Sequence, residues 1–519
     1  MASSTLFSDQ DVDGIFECPD RFIFKGHYSF MYGPWFKNWL FQIGCPLTKY
    51  KEFALSLTAE IDDHVRHIAF NNKMNVIYLE SAATKRRGLS KDDMARKIAL
   101  DSKVSTGLVC IFKTLEVCRT ISPDFNKRDN KIILKSKSAK CSHYYFYFID
   151  KDFGWVHVRL QSWIPFSIQV YLNGHEVMAR QFDNNRIKYE MYENSFTKIS
   201  NLQAANKLRD RLINRKWPRA LNRLARIVNP HYAFLRSANR IGYWWVTDQM
   251  EISTDVLFRK RSKLEAIMPE ITRHSMNELG CRDVLRFFGR KPHGNYKGDT
   301  SVDLKQRPEG VRVKFYMKGN SVKCYDKWSV LRFETTINRP REFKALKKVQ
   351  IDKKARLAWV PMGKSVKYFS RYFAIGCATN KRYYGALSKL RAMDKPIKEL
   401  DRVCHSRMVN GKRTAKFNPL TNEDHRLFKA VLDGRNLLGG FRNANILSSM
   451  YPETSEEVGV NARLRNQISR KLIKLVRHGL IAKFPRSHRY RITPTGLKIL
   501  SAFIRYRSID FPENYMKVA

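Results

Sequence analysis

The sequence predicts an α+β chain of several domains: a basic body of β-meander and helix, followed by a C-terminal module of three helices and a hairpin. Three observations predict this. Strand-like alternation and helix-like periodicity fall in separate blocks, without a regular βαβ rhythm. The 519 residues exceed what a single hydrophobic core usually serves. Hydrophobic residues make up 43% and aromatics 12%, enough for real cores, so disorder is not the reading.

Charge dominates the composition. There are 96 Lys and Arg against 48 Asp and Glu, formally +48. Self-repulsion at that charge opposes compaction, so a polyanionic partner is expected. Nucleic acid, DNA and/or RNA, fits best, because Lys and Arg displace its condensed counterions. A membrane fits poorly. The cations run along the whole chain, and no apolar run approaches a spanning length. The polar, acidic start MASSTLFSDQDVDG is no signal peptide, so a cytoplasmic location is expected. The nine cysteines are scattered and include no CxxC pair, which argues for reduced thiols and against a zinc finger or disulfide framework.

Taken in order, residues 1–20 read as a flexible acidic arm. Residues 21–105 read as a mixed helical region, with a helix-like span from Lys49 to Phe70 carrying His64 and His67. A second helix opens with Ser90 as N-cap and Asp93 at N3. Residues 106–200 read as a β-rich domain, with strands at Gly107–Arg119, Ser142–Ile149, Trp155–Ile164 and Phe166–Leu172. Asn173-Gly174 supplies a hairpin-type ending.

Residues 201–393 read as a basic α+β domain that handles nucleic acid. Asn201–Val228 is helical with a break at Pro218, and its outer arc offers Arg209, Arg215 and Arg223 to phosphate, or simply to solvent. In Ile241–Phe258, read as a strand, Glu251, Ser253 and Asp255 share one face. A flexible segment, Pro292–Arg307, precedes a three-stranded meander from Val311 to Ile337. There Val311, Val313, Phe315 and Met317 alternate with Arg312, Lys314, Tyr316 and Lys318. Turns fall at Lys318-Gly319-Asn320 and at Asp326–Ser329. Pairing would place Arg312, Lys314, Lys318, Lys323 and Arg332 on one surface, with Glu334 among them. A carboxylate in that company is either neutralised by the cations or reserved for a metal. A metal-dependent nuclease needs two or three carboxylates converging from different strands, to hold ions that activate water and stabilise the leaving oxygen. Glu251, Asp255 and Glu334 are the candidate catalytic and metal-binding residues, with Mg²⁺ as cofactor. Tyr368, Tyr372, Tyr383 and Tyr384, interleaved with cations, suit either base stacking or a core.

Residues 394–420 read as a linker, 421–507 as the C-terminal module and 508–519 as a tail. In the module's third helix, Leu464, Ile468, Leu472 and Leu475 form an apolar stripe that leaves Arg463, Arg470 and Lys474 free. The hairpin that follows carries Arg486, Arg489 and Arg491. Three helices and a basic hairpin resemble a winged-helix domain, and Arg477 to Gly496 resembles the wing of MarR-type regulators. That resemblance implies a third helix in the major groove and a wing on the backbone. Lys323-Cys-Tyr-Asp-Lys327 with Leu331-Arg-Phe-Glu334 is similar to the YDK…LRxE stretch of some plasmid and phage replication initiators. The His-hydrophobe-His metal motif of some such proteins is missing, as are a Walker loop and HExxH. The expected function is nucleic-acid binding in a mobile element or replicon, with a nuclease, nickase or transposase-like activity. The alternatives are a non-enzymatic DNA-binding regulator or replication initiator, and a structural partner of a large non-coding RNA.

Overall fold

Alternating β-branched and aromatic runs in the first three-quarters of the chain pair into one eleven-stranded sheet. The computed structural model describes residues 11–80, 90–128, 130–239, 242–291, 300–307, 310–351, 354–387, 394–452 and 458–518. It divides into two units, 1–388 and 389–519. Helix and strand are mixed, in keeping with the α+β expectation. Among the described residues, no helix is long and apolar enough to cross a membrane.

Besides a hairpin of Lys344–Ile351 with Lys354–Pro361, the strands of the first unit are β1 (Val12–His27), β2 (Val76–Tyr78), β3 (Gly107–Asn126), β4 (Lys131–Asp150), β5 (Gly154–Gln161), β6 (Ile168–Asn173), β7 (Tyr189–Tyr192), β8 (Ser195–Ile199), β9 (Trp244–Phe258), β10 (Thr300–Arg307), β11 (Gly310–Met317), β12 (Asn320–Lys327) and β13 (Val330–Ile337). β7 and β8 form a separate hairpin. The others run β10-β11-β12-β13-β9-β1-β6-β5-β4-β3-β2, antiparallel throughout except for β2 with β3.

This order shows a repeat that the sequence does not announce. Each half begins with a long strand, β1 or β9, and continues through helices. It then makes a four-stranded meander whose last strand, β6 or β13, returns to pair with the long one. The two long strands pair with each other, so the halves meet at the centre of the sheet.

The meander of the second half forms where its alternation and turns place it. Lys318 and Gly319 both adopt positive φ, 46° and 80°, as a two-residue turn between twisted strands requires. The helix Phe369–Leu387 covers one sheet face. Its Gly376 lies so close that a Cβ would come within 2.7 Å of Ile252. Tyr372 and Tyr383 of this helix are fully buried and belong to the core, not to a stacking platform.

Several expectations are corrected. The supposed arm contributes Val12–Asp20 to β1 at the centre of the sheet. The separate blocks 21–105, 106–200 and 201–393 share that single sheet in one unit. Asn173 ends no hairpin. Its side chain accepts from the backbone N–H groups of His175 and Glu176 and caps the helix Gly174–Asn184. Thr300–Arg307 is the edge strand β10, while 292–299 lie outside the described residues. The capping box of Ser90 and Asp93 forms as expected, and Pro218 stands at the start of a second helix, Trp217–Val228, after Leu202–Ile213.

The second unit contains helices Asn422–Val431, Asn443–Met450 and Val458–Arg477, a hairpin of Ile481–Lys483 with Tyr490–Ile492, and the helix Pro494–Arg505. Phe428, Ile446, Ile468, Leu472, Leu475 and Phe503 form its core. The expected linker belongs to this unit. It carries the helix Asp394–Cys404 and a hairpin of Arg407–Val409 with Lys412–Thr414, and its Val403 and Phe417 are buried in that core.

Candidate metal centre

The site begins with an irregularity where β1 meets β9. Pro19 pairs with Ile252 and Phe22 with Met250, so Asp20 and Arg21 together stand opposite Glu251. A bulge of this kind re-aims side chains within a ladder. The helix Gly174–Asn184 is seated directly on it. A Cβ on Gly174 would lie 1.6 Å from the Pro19 carbonyl oxygen, so only glycine lets the helix approach. The next residue, His175, donates from Nδ1 to Asp20 Oδ1 at 2.9 Å and fixes that carboxylate.

On the other side of β9, Glu334 of β13 pairs with Ser253 and lies in one cross-strand row with Lys323 and Lys314. Carboxylate oxygens of Asp20, Glu251 and Glu334 thus converge within 4.8 Å of one another, from three adjacent strands. All three residues are buried, Glu334 to 1% exposure. Arg21 reaches Glu251 at 2.6 Å, and Tyr325 donates to Glu334 Oε2 at 2.8 Å. Lys323 Nζ lies 2.7 Å from Glu334 Oε1. This contact is a charge pair without hydrogen-bond alignment, so Oε1 keeps an unused lone pair.

The electrostatics follow from this crowding. Burial first, then the charges of Asp20 and Glu251, push Glu334 up to about 7 against the pull of Lys323 and Arg332. Burial alone would also raise Asp20, but the His175 hydrogen bond and the Arg332 charge hold it well below the usual carboxylate range.

Two of the three expected carboxylates, Glu251 and Glu334, therefore join this cluster, and the third does not. Asp255 is fully buried with both oxygens engaged by Arg332, Oδ1 at 2.7 Å and Oδ2 at 2.8 Å. It is a structural ion-pair partner, and Asp20 takes its place. Arg332 in turn is 1% exposed and cannot line a binding surface. His64 and His67 hold the Ile227 carbonyl and Asn71 respectively, and form no ligand pair.

The expected basic face is real but partly occupied. Arg312 pairs with Asp303 at 2.8 Å, Lys318 lies 3.8 Å from Glu342, and Lys314 stands over the Tyr316 ring. Arg209, Arg215 and Arg223 are ion-paired with Asp210, Asp152 and Asp150. Arg215, in the junction between the two helices, and Arg223, in the second, thereby fasten this segment to the β4–β5 turn instead of standing free for phosphate. In the second unit Arg463, Arg470, Arg486, Arg489 and Arg491 are exposed. Lys474 is half-buried, with its Nζ 3.8 Å from the centre of the Phe417 ring.

No protein-family model, curated protein or solved structure matches this chain.

Proposed function

We propose that this chain is a nucleic-acid strand processor of a mobile element or replicon, a nuclease or nickase that uses Mg²⁺ held by Asp20, Glu251 and Glu334. The convergence of those three buried carboxylates from three strands, in a chain of charge +48, carries the reading. Three converging carboxylates, with Glu334 Oε1 accepting no hydrogen bond, suit a hard divalent cation, which would activate water and stabilise the leaving oxygen. The chain's own residues do the positioning. His175 holds Asp20, Tyr325 orients Glu334, and the Arg332–Asp255 pair locks β13 to β9. Arg21 and Lys323 stand beside the carboxylates as partners for a phosphate. The test is metal-dependent cleavage of single- and double-stranded DNA and RNA by wild type and by Glu334→Gln. Lost cleavage with retained nucleic-acid affinity supports the proposal, and unchanged cleavage removes it.

A second reading rests on the second unit. Its helices Asn422–Val431, Asn443–Met450 and Val458–Arg477, with a short helix Gly434–Gly439 between the first two, precede a hairpin and a further helix; that order, with exposed Arg470 and Arg489, supports a winged-helix reader of duplex DNA. The chain would then be a regulator or initiator without chemistry. One preferred duplex sequence, lost when Arg470 and Arg489 become Ala, together with an inert Glu334→Gln, favours that alternative.

A further inference from the structure

The longest ladder of the sheet joins β3 to β4, and its root holds a cluster with different chemistry. Cys141 and His143 stand two apart on β4 and so share a face. Cys118 of β3 pairs with Ala139, one diagonal step from Cys141. The two sulfurs and a ring nitrogen of His143 lie within 4.8 Å of one another. Cys141 and His143 are buried, while Cys118 is half-buried and lines a groove of about 680 Å³ together with Lys25, Arg119, Arg159 and Lys364.

The donor set is soft and its orientation is already fixed. His143 Nδ1 lies 3.1 Å from the Cys141 carbonyl oxygen. That contact makes Nδ1 the N–H donor and leaves the lone pair on Nε2, the arrangement that second-shell bonds impose on metal-binding histidines. Two thiolates and an imidazole suit Zn²⁺ and suit Mg²⁺ badly.

We propose that Cys118, Cys141 and His143 bind one Zn²⁺ at the root of the β3–β4 ribbon, with a fourth position open to the cationic groove. Three protein ligands and one open position distinguish such a site from a closed structural finger. The ion would join the strands just before the ribbon's outer part, where β3 and β4 form a two-stranded ladder carrying Lys131, Lys135 and Lys137, with Lys127 and Arg128 in the turn between them. A spacing rule based on CxxC misses the cluster because hairpin pairing, not sequence proximity, assembles it.

The test is the metal content of the full chain, purified without chelators, for wild type, Cys118→Ser, His143→Ala and Glu334→Gln. About one zinc per chain is expected in wild type and Glu334→Gln. Zinc affinity should fall by about tenfold or more in the other two variants. Because His143 is buried, Cys118→Ser is the decisive variant, with its fold checked by circular dichroism. A Co²⁺ titration gives an independent readout, with a thiolate-to-cobalt absorption band in wild type that Cys118→Ser lacks. Wild-type protein that takes up no zinc and shows no such band overturns the proposal. So does zinc content unchanged by Cys118→Ser, or a Cys118–Cys141 disulfide in protein that holds no zinc.

Discussion

Asp255 and Glu334 invite comparison. Both are buried, they sit on the neighbouring strands β9 and β13, and they share one sheet face, yet their acidities move in opposite directions. Burial would raise both. At Asp255 the Arg332 guanidinium overrides burial and holds the carboxyl below the usual range. At Glu334 two further carboxylates add to burial, and the group rises to about 7. Burial alone therefore does not separate a structural carboxylate from an available one. The balance of cations and anions in contact with it does. One cluster is closed by a bidentate charge pair, while in the other three crowded carboxylates face the cations Arg21 and Lys323 and their mutual repulsion is only partly offset.

The largest expected effect breaks the closed cluster. Arg332→Met would leave Asp255 buried without its partner, a loss of about 3–5 kcal/mol of stability. Urea denaturation measures it, and a second change, Asp255→Leu, should recover much of the loss. A single-variant cost under about 1 kcal/mol would show that Asp255 does not depend on Arg332. The open cluster should respond in the opposite sense. Glu334→Gln removes a repelled charge, so stability should hold or rise. Mg²⁺ affinity and cleavage should fall by about a hundredfold or more, since even outer-shell partners cost 10–100-fold. Calorimetric titration with Mg²⁺ and a cleavage assay separate the two effects.

Much of the open cluster was legible, because it obeys period two. Turn signals at Lys318-Gly319 and the alternation after Val311 place Lys314, Lys323 and Glu334 in one row. Parity also puts Glu251 and Asp255 on one face, but it says nothing of what stands opposite, and Arg332 decides their different fates. Asp20 was illegible for a different reason. The bulge at Asp20-Arg21 breaks the alternation where it carries the third carboxylate, and the polar residues before it read as an arm. The segment 394–420 misled because a few scattered apolar residues, Val403 and Phe417 with Leu400 and Cys404 beside them, tie a polar stretch into the core.

The pH dependence sharpens the comparison further. A folded pKa near 7, above the ordinary 4.5, means that the fold disfavours the ionised Glu334. Stability from this group is therefore present at low pH and declines between about pH 4.5 and pH 7, as the unfolded chain sheds its proton first. Metal binding needs the carboxylate, so Mg²⁺ affinity should climb about tenfold per pH unit up to about pH 7 and then level off. The thermal shift induced by Mg²⁺, followed across that range, reads this directly. A shift that is flat from about pH 5 upward would mean that Glu334 is already ionised and that Lys323 dominates its surroundings.

The smallest effect carries the same contrast between paired and available charges to the cations. Arg223 is held by Asp150 at 2.8 Å, whereas Arg470 is exposed on the Val458–Arg477 helix. A paired guanidinium releases no counterion from nucleic acid, and an available one does. Arg470→Ala should therefore lower duplex affinity and reduce the slope of log K against log salt by about 1. Arg223→Ala should leave that slope unchanged and cost stability instead, by about 1 kcal/mol, since the buried Asp150 keeps its hydrogen bonds from the Asp152 and Phe153 backbone N–H groups. Equal slopes for both variants would mean that the second unit's helix does not touch phosphate. A reduced slope for Arg223→Ala alone would mean that nucleic acid displaces Asp150 and draws the first unit's helices into the complex.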